Sequence, residues 1–310
     1  LVGSQISSLH WLHLHFKCSS RPMKSWLLAA RPKTLLAGIV PVWLGGVLAQ
    51  AFTGTFSWSL GGFTLASCLC IQIATNLFND VIDFEKGADT EARKGATRVT
   101  QSGMISQRTV WIGAWITLGL ACLFAIPLVE ARGWPIIAIG IPSLYFAFGY
   151  TGGPLPLAYR GLGELFVVLF FGLVAVTGTY FVQTGDWSWQ PVVLGLQVGM
   201  LSTVLIAVNN LRDIDEDRAA NKRTLAVRFG KKFARVEIAV LCFLPILMGT
   251  HWFHHQELAT ILPMLVLVLG FVIVSKVAKT EPSPAYNQFL GMSALQLLVF
   301  ATLFSIGILR

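Results

Sequence analysis

The 310 residues are 55% hydrophobic and 12% charged, about half the roughly 25% charged share of a soluble domain. A net charge of +8 raises the possibility of a nucleic-acid partner, but the basic residues are placed by topology instead. Nine separate uncharged runs of about 20 residues, the length a bilayer core requires of a helix, exclude a soluble fold.

The first 22 residues carry His10, His13 and His15, and Met23 directly precedes the first plausible helix. Residues 1–23 are therefore expected to be an extension outside a core domain of residues 24–310. No apolar run before Met23 is adequate for a cleaved signal peptide. The uncharged runs follow at about 34–51, 59–78, 110–129, 134–151, 164–182, 191–209, 236–253, 258–275 and 288–309. The spacing predicts an all-α, polytopic membrane bundle of about nine helices. Pro41 and Pro142 lie inside two of these runs, which membrane helices tolerate.

Threading nine helices puts 21 of the 23 Lys and Arg residues on one side and leaves Arg132 and Arg310 for the other. By the positive-inside rule the N-terminus is cytoplasmic and the C-terminus external, as in a bacterial plasma membrane. Cys18, Cys68, Cys70, Cys122 and Cys242 show no CxxC spacing and read as lipid-facing or packing residues. His251, His254 and His255 fall on the outer side and read as a polar loop rather than a metal site.

The acids are concentrated in two places. Asp80, Asp83, Glu85, Asp89 and Glu91 follow the second run, and Asp213, Asp215, Glu216 and Asp217 follow the sixth. Both clusters lie where a helix leaves the membrane on the cytoplasmic side. Asp80 and Asp83, three apart, share a helix face, and Asn209, Asp213 and Asp217 form a stripe at intervals of four. Two such stripes across a bundle make an oxygen-rich cage suited to a hard cation such as Mg²⁺, which bridges to substrate phosphates. Lys86, Arg93, Lys94 and Arg98 follow the first cluster, and Lys222, Arg223 and Arg228 the second. Such cations stabilise a departing diphosphate. Arg31, in the run Arg31-Pro32-Lys33-Thr34, sits at the mouth of the first helix on the same side. It is either a substrate ligand or a snorkelling interface anchor.

At these segments the chain resembles the UbiA-type membrane prenyltransferases, in particular their naphthoate branch. The likeness is carried by Arg31–Leu35 (RPKTL), Asn79–Gly103, Tyr159–Glu164 (YRGLGE) and Asn209–Gly230. The resemblance implies that Asn79, Asp80, Asp83, Asn209, Asp213 and Asp217 hold two Mg²⁺ ions on a polyprenyl diphosphate. Asp80, Asp83, Asp213 and Asp217 are then the catalytic acids. Arg31, Lys86, Arg93, Arg98, Asn210, Lys222 and Arg223 are the substrate-binding candidates. One position departs from the family pattern: Gly87 stands where a further Asp is expected, four residues after Asp83. Either Glu85 or Asp89 completes the first metal set.

The reaction so implied is Mg²⁺-dependent transfer of the prenyl group to 1,4-dihydroxy-2-naphthoate with loss of CO₂, the hydrocarbon tail lying in an apolar tunnel open to lipid. Sister activities on 4-hydroxybenzoate, homogentisate or a chlorophyllide remain alternatives. So does cation transport, although transporter acids lie nearer the membrane midplane and these lie at one face. No Ser-His-Asp or Cys-His constellation points to covalent catalysis.

Overall fold

The computed structural model describes residues 22–89 and 94–310. Among them the secondary structure is entirely helical. Helix α1 (Pro22–Ala30) is followed by α2 (Pro32–Thr53), α3 (Trp58–Glu85), α4 (Gln107–Arg132) and α5 (Trp134–Gly149). Then come α6 (Gly163–Thr184), α7 (Gln190–Arg212), the short α8 (Ile214–Ala219), α9 (Leu225–His254), α10 (Glu257–Lys279) and α11 (Tyr286–Ile308). Eight of these are long and apolar enough to cross a membrane, and α5, with 16 residues, is the shorter ninth. At 1.5 Å per residue α5 spans about 24 Å, so it crosses most of the hydrocarbon core. All nine expected runs are helical.

The helix ends follow from local chemistry. Ser57, Ser106 and Thr224 cap α3, α4 and α9 by accepting from the N–H groups of Leu60, Thr109 and Val227, which satisfies donors the helix itself leaves open. Pro32 occupies the first turn of α2, where its missing N–H costs nothing. The residue before a proline is disfavoured in the α region, and Arg31 takes a left-handed conformation (φ 53°) that separates α1 from α2. Gly133, at φ 73° and ψ −151°, alone joins α4 to α5. That conformation is open only to glycine.

Helix α7 is the most enclosed span. Its Leu194, Val198 and Leu201 pack with Leu44 and Leu48 of α2, Phe300 and Phe304 of α11, and Trp252. The outward faces are apolar as well: Ile116, Leu123, Val268 and Phe271 are all exposed, as expected where the surrounding solvent is lipid. Within α6 the segment Val168–Val174 is a π-helix, and there Gly172 abuts the backbone of Gly195 and Gly199 on α7. A β-carbon on Gly172 would lie 2.3 Å from the Gly195 carbonyl oxygen.

Candidate functional site

The C-terminal ends of α3 and α7 bring the two acid clusters to the same end of the bundle. Helix α3 ends in a Schellman motif: Gly87 N–H bonds the Phe84 carbonyl and Ala88 N–H the Asp83 carbonyl, with Gly87 at φ 67°. The turn folds the chain back, so that Asp89 and Asp83 both meet Arg98. Arg98 Nη2 lies 3.2 Å from Asp83 and its Nε 3.1 Å from Asp89, all three being buried. Glu85 points elsewhere: it is exposed and accepts from Gln107 and from Trp111 Nε1 on α4. The geometry therefore sets Asp89, not Glu85, beside Asp83, and Gly87 supplies the turn that makes this possible.

Asp80 has a different task from Asp83. Its two carboxylate oxygens accept the backbone N–H groups of Val99 (3.2 Å) and Thr100 (2.9 Å). It thus anchors the segment that presents Arg98. Asn79 accepts from the Thr151 hydroxyl. One turn earlier Asn76 donates to the Ala30 carbonyl and to Thr34 Oγ1. The α1–α2 hinge is thereby tied to the helix that carries the first cluster. The half-buried Arg31 sits at that hinge.

In the second cluster Asp217 faces Lys222 at 3.6 Å. Helix α8 ends in another Schellman turn, here with Asn221 in the left-handed region (φ 56°) and Lys222 N–H bonded to the Asp217 carbonyl. Asp213 accepts from Arg212 Nε (2.6 Å) and Nη2 (2.7 Å), and Nη2 also donates to Asn209 Oδ1. Asn210 points away from Asn209 and donates to buried Glu164 of α6 at 2.7 Å. Arg223 contributes its backbone N–H to the Tyr159 carbonyl, and its side chain is exposed. Arg93 lies outside the described residues.

Tyr159 connects the clusters. Its hydroxyl donates to Asp83 at 2.9 Å, Lys86 Nζ lies 4.1 Å from its ring centroid and Lys222 Nζ 5.7 Å. Burial first, then the Asp83 charge, pushes the Tyr159 phenol above its ordinary range, so it stays a proton donor. Burial lowers the Lys86 ammonium, Asp83 opposing and Lys222 adding to the shift. Lys86 also donates to the Thr151 carbonyl at 2.6 Å. Lys94 reaches across from the first segment: its N–H bonds Glu216, its Nζ lies 3.5 Å from Asp215, and its carbonyl accepts from Asn287 of α11.

Directly beneath this polar end is a cavity of about 460 Å³, lined mainly by apolar side chains of α2 to α6 such as Ile71, Leu144, Phe146, Phe166 and Val174. Tyr150 belongs to its wall, and its carbonyl accepts from the N–H of Ala158 at 2.8 Å, beside the Tyr159 that bonds Asp83. The polar and apolar compartments therefore share a boundary.

The sequence reading did not single out Tyr150, Tyr159, Glu164, Arg212 or Asn287 as site residues. Arg212 carried the clearest signal, an arginine at the end of a 20-residue uncharged run and adjoining a motif aspartate.

The profile of the UbiA prenyltransferase family matches residues 38–301. A 1,4-dihydroxy-2-naphthoate octaprenyltransferase of Haemophilus influenzae is 32% identical over 94% of this chain and 98% of its own length. The Bacillus subtilis protein of that description is 38% identical over 67% of each chain. The human UbiA prenyltransferase domain-containing protein 1 is 29% identical over 93% of this chain and 86% of its own. Among solved structures, a UbiA homologue of Aeropyrum pernix superposes with a TM-score of 0.69 at 15% identity, covering 87% of this chain and 97% of that one. A homologue of Archaeoglobus fulgidus bound to DMAPP and Mg²⁺ gives 0.62 at 17% identity, over 91% and 99%. Both structural matches establish the fold.

Proposed function

This chain belongs to the UbiA prenyltransferase family, and within that family of membrane enzymes we propose that it transfers a polyprenyl group from its diphosphate to 1,4-dihydroxy-2-naphthoate, with loss of CO₂. The observation that carries the reading is Tyr150, which lines the apolar cavity and whose carbonyl accepts from Ala158, next to the Tyr159 that joins Asp83 of one cluster to Lys222 of the other. A substrate with a diphosphate head and a hydrocarbon tail matches a site so divided. The acceptor assignment draws on the naphthoate octaprenyltransferases among the relatives.

The donor set suits Mg²⁺. Its atoms are carboxylate oxygens, and among the described residues no three acid, histidine or cysteine side chains converge enough to hold a metal alone. Mg²⁺ is typically held by one or two carboxylates with water and substrate phosphate completing its shell. Asp83, Asp89, Asp213 and Asp217 would hold it, as two ions in the pattern the family resemblance implies, while Asp80 keeps its oxygens on the Val99 and Thr100 amides. When bound, the metal neutralises charge developing on the diphosphate oxygens.

The remaining steps belong to the chain's own side chains. Lys86, Lys222 and Arg98 lie around the cage and bind the diphosphate as the carbon–oxygen bond breaks and the electron pair leaves with it. The cavity wall holds the allylic end of the tail away from water. The electron-rich ring then forms its bond to that carbon, and the carboxylate departs as CO₂, its bonding pair returning to the ring. No protein nucleophile is required. Arg31, at the hinge beside α3, binds the acceptor carboxylate. Lys94 and Asn287 join the loop to the second cluster.

The membrane is the bacterial plasma membrane in this reading, with the cage on the cytoplasmic side, the N-terminus inside and the C-terminus outside. Purified protein supplied with Mg²⁺, prenyl diphosphates of several lengths and either dihydroxynaphthoate or 4-hydroxybenzoate tests the proposal by product mass. A decarboxylated naphthoate product is expected. Turnover of 4-hydroxybenzoate instead would assign a sister activity.

A further inference from the structure

Arg212 is 2% exposed and makes four hydrogen bonds. Two go to Asp213 and one to Asn209, so both carboxylate oxygens and the amide oxygen of the second cluster's stripe face a guanidinium. The fourth, from Nη1 to Asn287 Oδ1 at 2.7 Å, ties the group to α11. A guanidinium does not lose its proton in a protein, and a two-pronged pairing with a carboxylate is the strongest geometry open to it.

We propose that Arg212 is a resident counter-cation, a positioning residue that makes the cage take up its divalent metal only together with the donor diphosphate. The inference rests on the metal-cage reading above and deepens it. Arg98 faces Asp83 and Asp89, Lys222 faces Asp217, and Arg212 faces Asp213. Each acid that would hold metal thus meets a built-in positive charge. Arg98 and Lys222 stand on segments that follow helix ends, where a diphosphate entering the cage would meet them. Arg212, the last residue of α7, is the most deeply buried of the three and is held by Asp213, Asn209 and Asn287, so leaving its partners would strand a buried charge, which is strongly unfavourable. A free divalent ion therefore meets carboxylates that are already neutralised, at a site where, among the described residues, no three of them converge. The diphosphate supplies both the missing negative charge and the missing oxygen ligands. Metal and donor binding are then coupled, and the coupling is reciprocal.

Mn²⁺ binding to the purified full-length protein, followed by electron paramagnetic resonance with and without a non-cleavable methylene analogue of a prenyl diphosphate, tests this. The wild type should bind Mn²⁺ at least about tenfold more tightly with the analogue than without it, within the usual range of coupling between sites. Arg212→Gln, which retains an amide donor but removes the charge, should bind Mn²⁺ without analogue about tenfold more tightly than wild type. Arg212→Lys should restore the wild-type pattern. A merely structural role would weaken binding in Arg212→Gln, so unchanged or weaker affinity there overturns the proposal. If Arg212→Gln does not fold, Arg212→Met takes its place in the same comparison, and equal Mn²⁺ affinity in the two wild-type arms is fatal to the idea in either case. Absence of Mn²⁺ binding even with the analogue would remove the metal cage itself, an outcome distinct from failure of the Arg212 coupling.

Discussion

Asp83 and Asp217 hold the same position in two helix endings. Each gives its backbone carbonyl to the N–H five residues on, Ala88 in one case and Lys222 in the other, both at 2.8 Å. Each is followed four residues later by a left-handed residue, Gly87 or Asn221. Both turns return the chain over the acid, bringing Asp89 beside Asp83 and Lys222 beside Asp217.

The turns differ in the residue that makes them, and that difference is measurable. Nothing lies within 4 Å of where a β-carbon on Gly87 would sit, so Gly87→Ala should cost only the left-handed backbone penalty, about 1–2 kcal/mol. Asn221→Gly should be neutral or mildly favourable. Thermal unfolding in detergent compares the two, and a Gly87→Ala protein as stable as wild type would contradict the turn assignment.

Tyr159→Phe keeps the ring under Lys86 and removes the hydrogen bond to Asp83. A hydrogen bond to a charged group contributes about 1.5–3 kcal/mol, so kcat/KM for the prenyl diphosphate should fall roughly tenfold to a hundredfold. Steady-state kinetics with each substrate varied would check this. A change confined to the acceptor KM would move Tyr159 out of the diphosphate site.

The pH dependence should carry the signature of Lys86. Burial lowers its pKa, so the charged form is lost at a lower pH than for an ordinary lysine. kcat/KM for the donor should therefore decline with rising pH, starting below the usual lysine range of about 10.4. Arginine stays protonated throughout, so Lys86→Arg should shift that alkaline decline upward. An identical profile in both proteins would assign the decline to another group.

Arg31→Lys retains charge at the hinge and loses the guanidinium fork that grips a carboxylate through two parallel bonds. The apparent KM for dihydroxynaphthoate should rise while that for the prenyl diphosphate stays nearly constant. The loss should be about 1.5–3 kcal/mol. Equal increases in both would put Arg31 on the diphosphate, and no change would make it an interfacial anchor.

The membrane architecture was legible because apolar run length and basic-residue placement are direct consequences of a bilayer solvent. The two acid clusters were legible because so few carboxylates occur elsewhere. What spacing could not separate was Asp80 from Asp83: both lie on one face of α3, but one meets backbone amides and the other meets Arg98. The choice between Glu85 and Asp89 depended on a turn reversal at Gly87, which takes Asp89 inward while Trp111 and Gln107 hold Glu85 at the surface. Arg212 escaped notice because positive charge near a membrane face reads as topology. Only the fold shows it buried between Asp213 and Asn287.

The cavity has one stiff wall and one compliant wall. On one side α6 and α7 touch backbone to backbone at Gly172, Gly195 and Gly199, where no side chain can yield and sliding is blocked. On the other, α5 reaches α6 through the rings of Phe146, Phe166 and Phe170, which can rotate past one another at small cost. Elastic strain from a bulky tail must therefore fall on α5, the shortest span and one joined to α4 by a single glycine. An occupant wider than the cavity would swing α5 at Gly133 against α7 as the fixed frame.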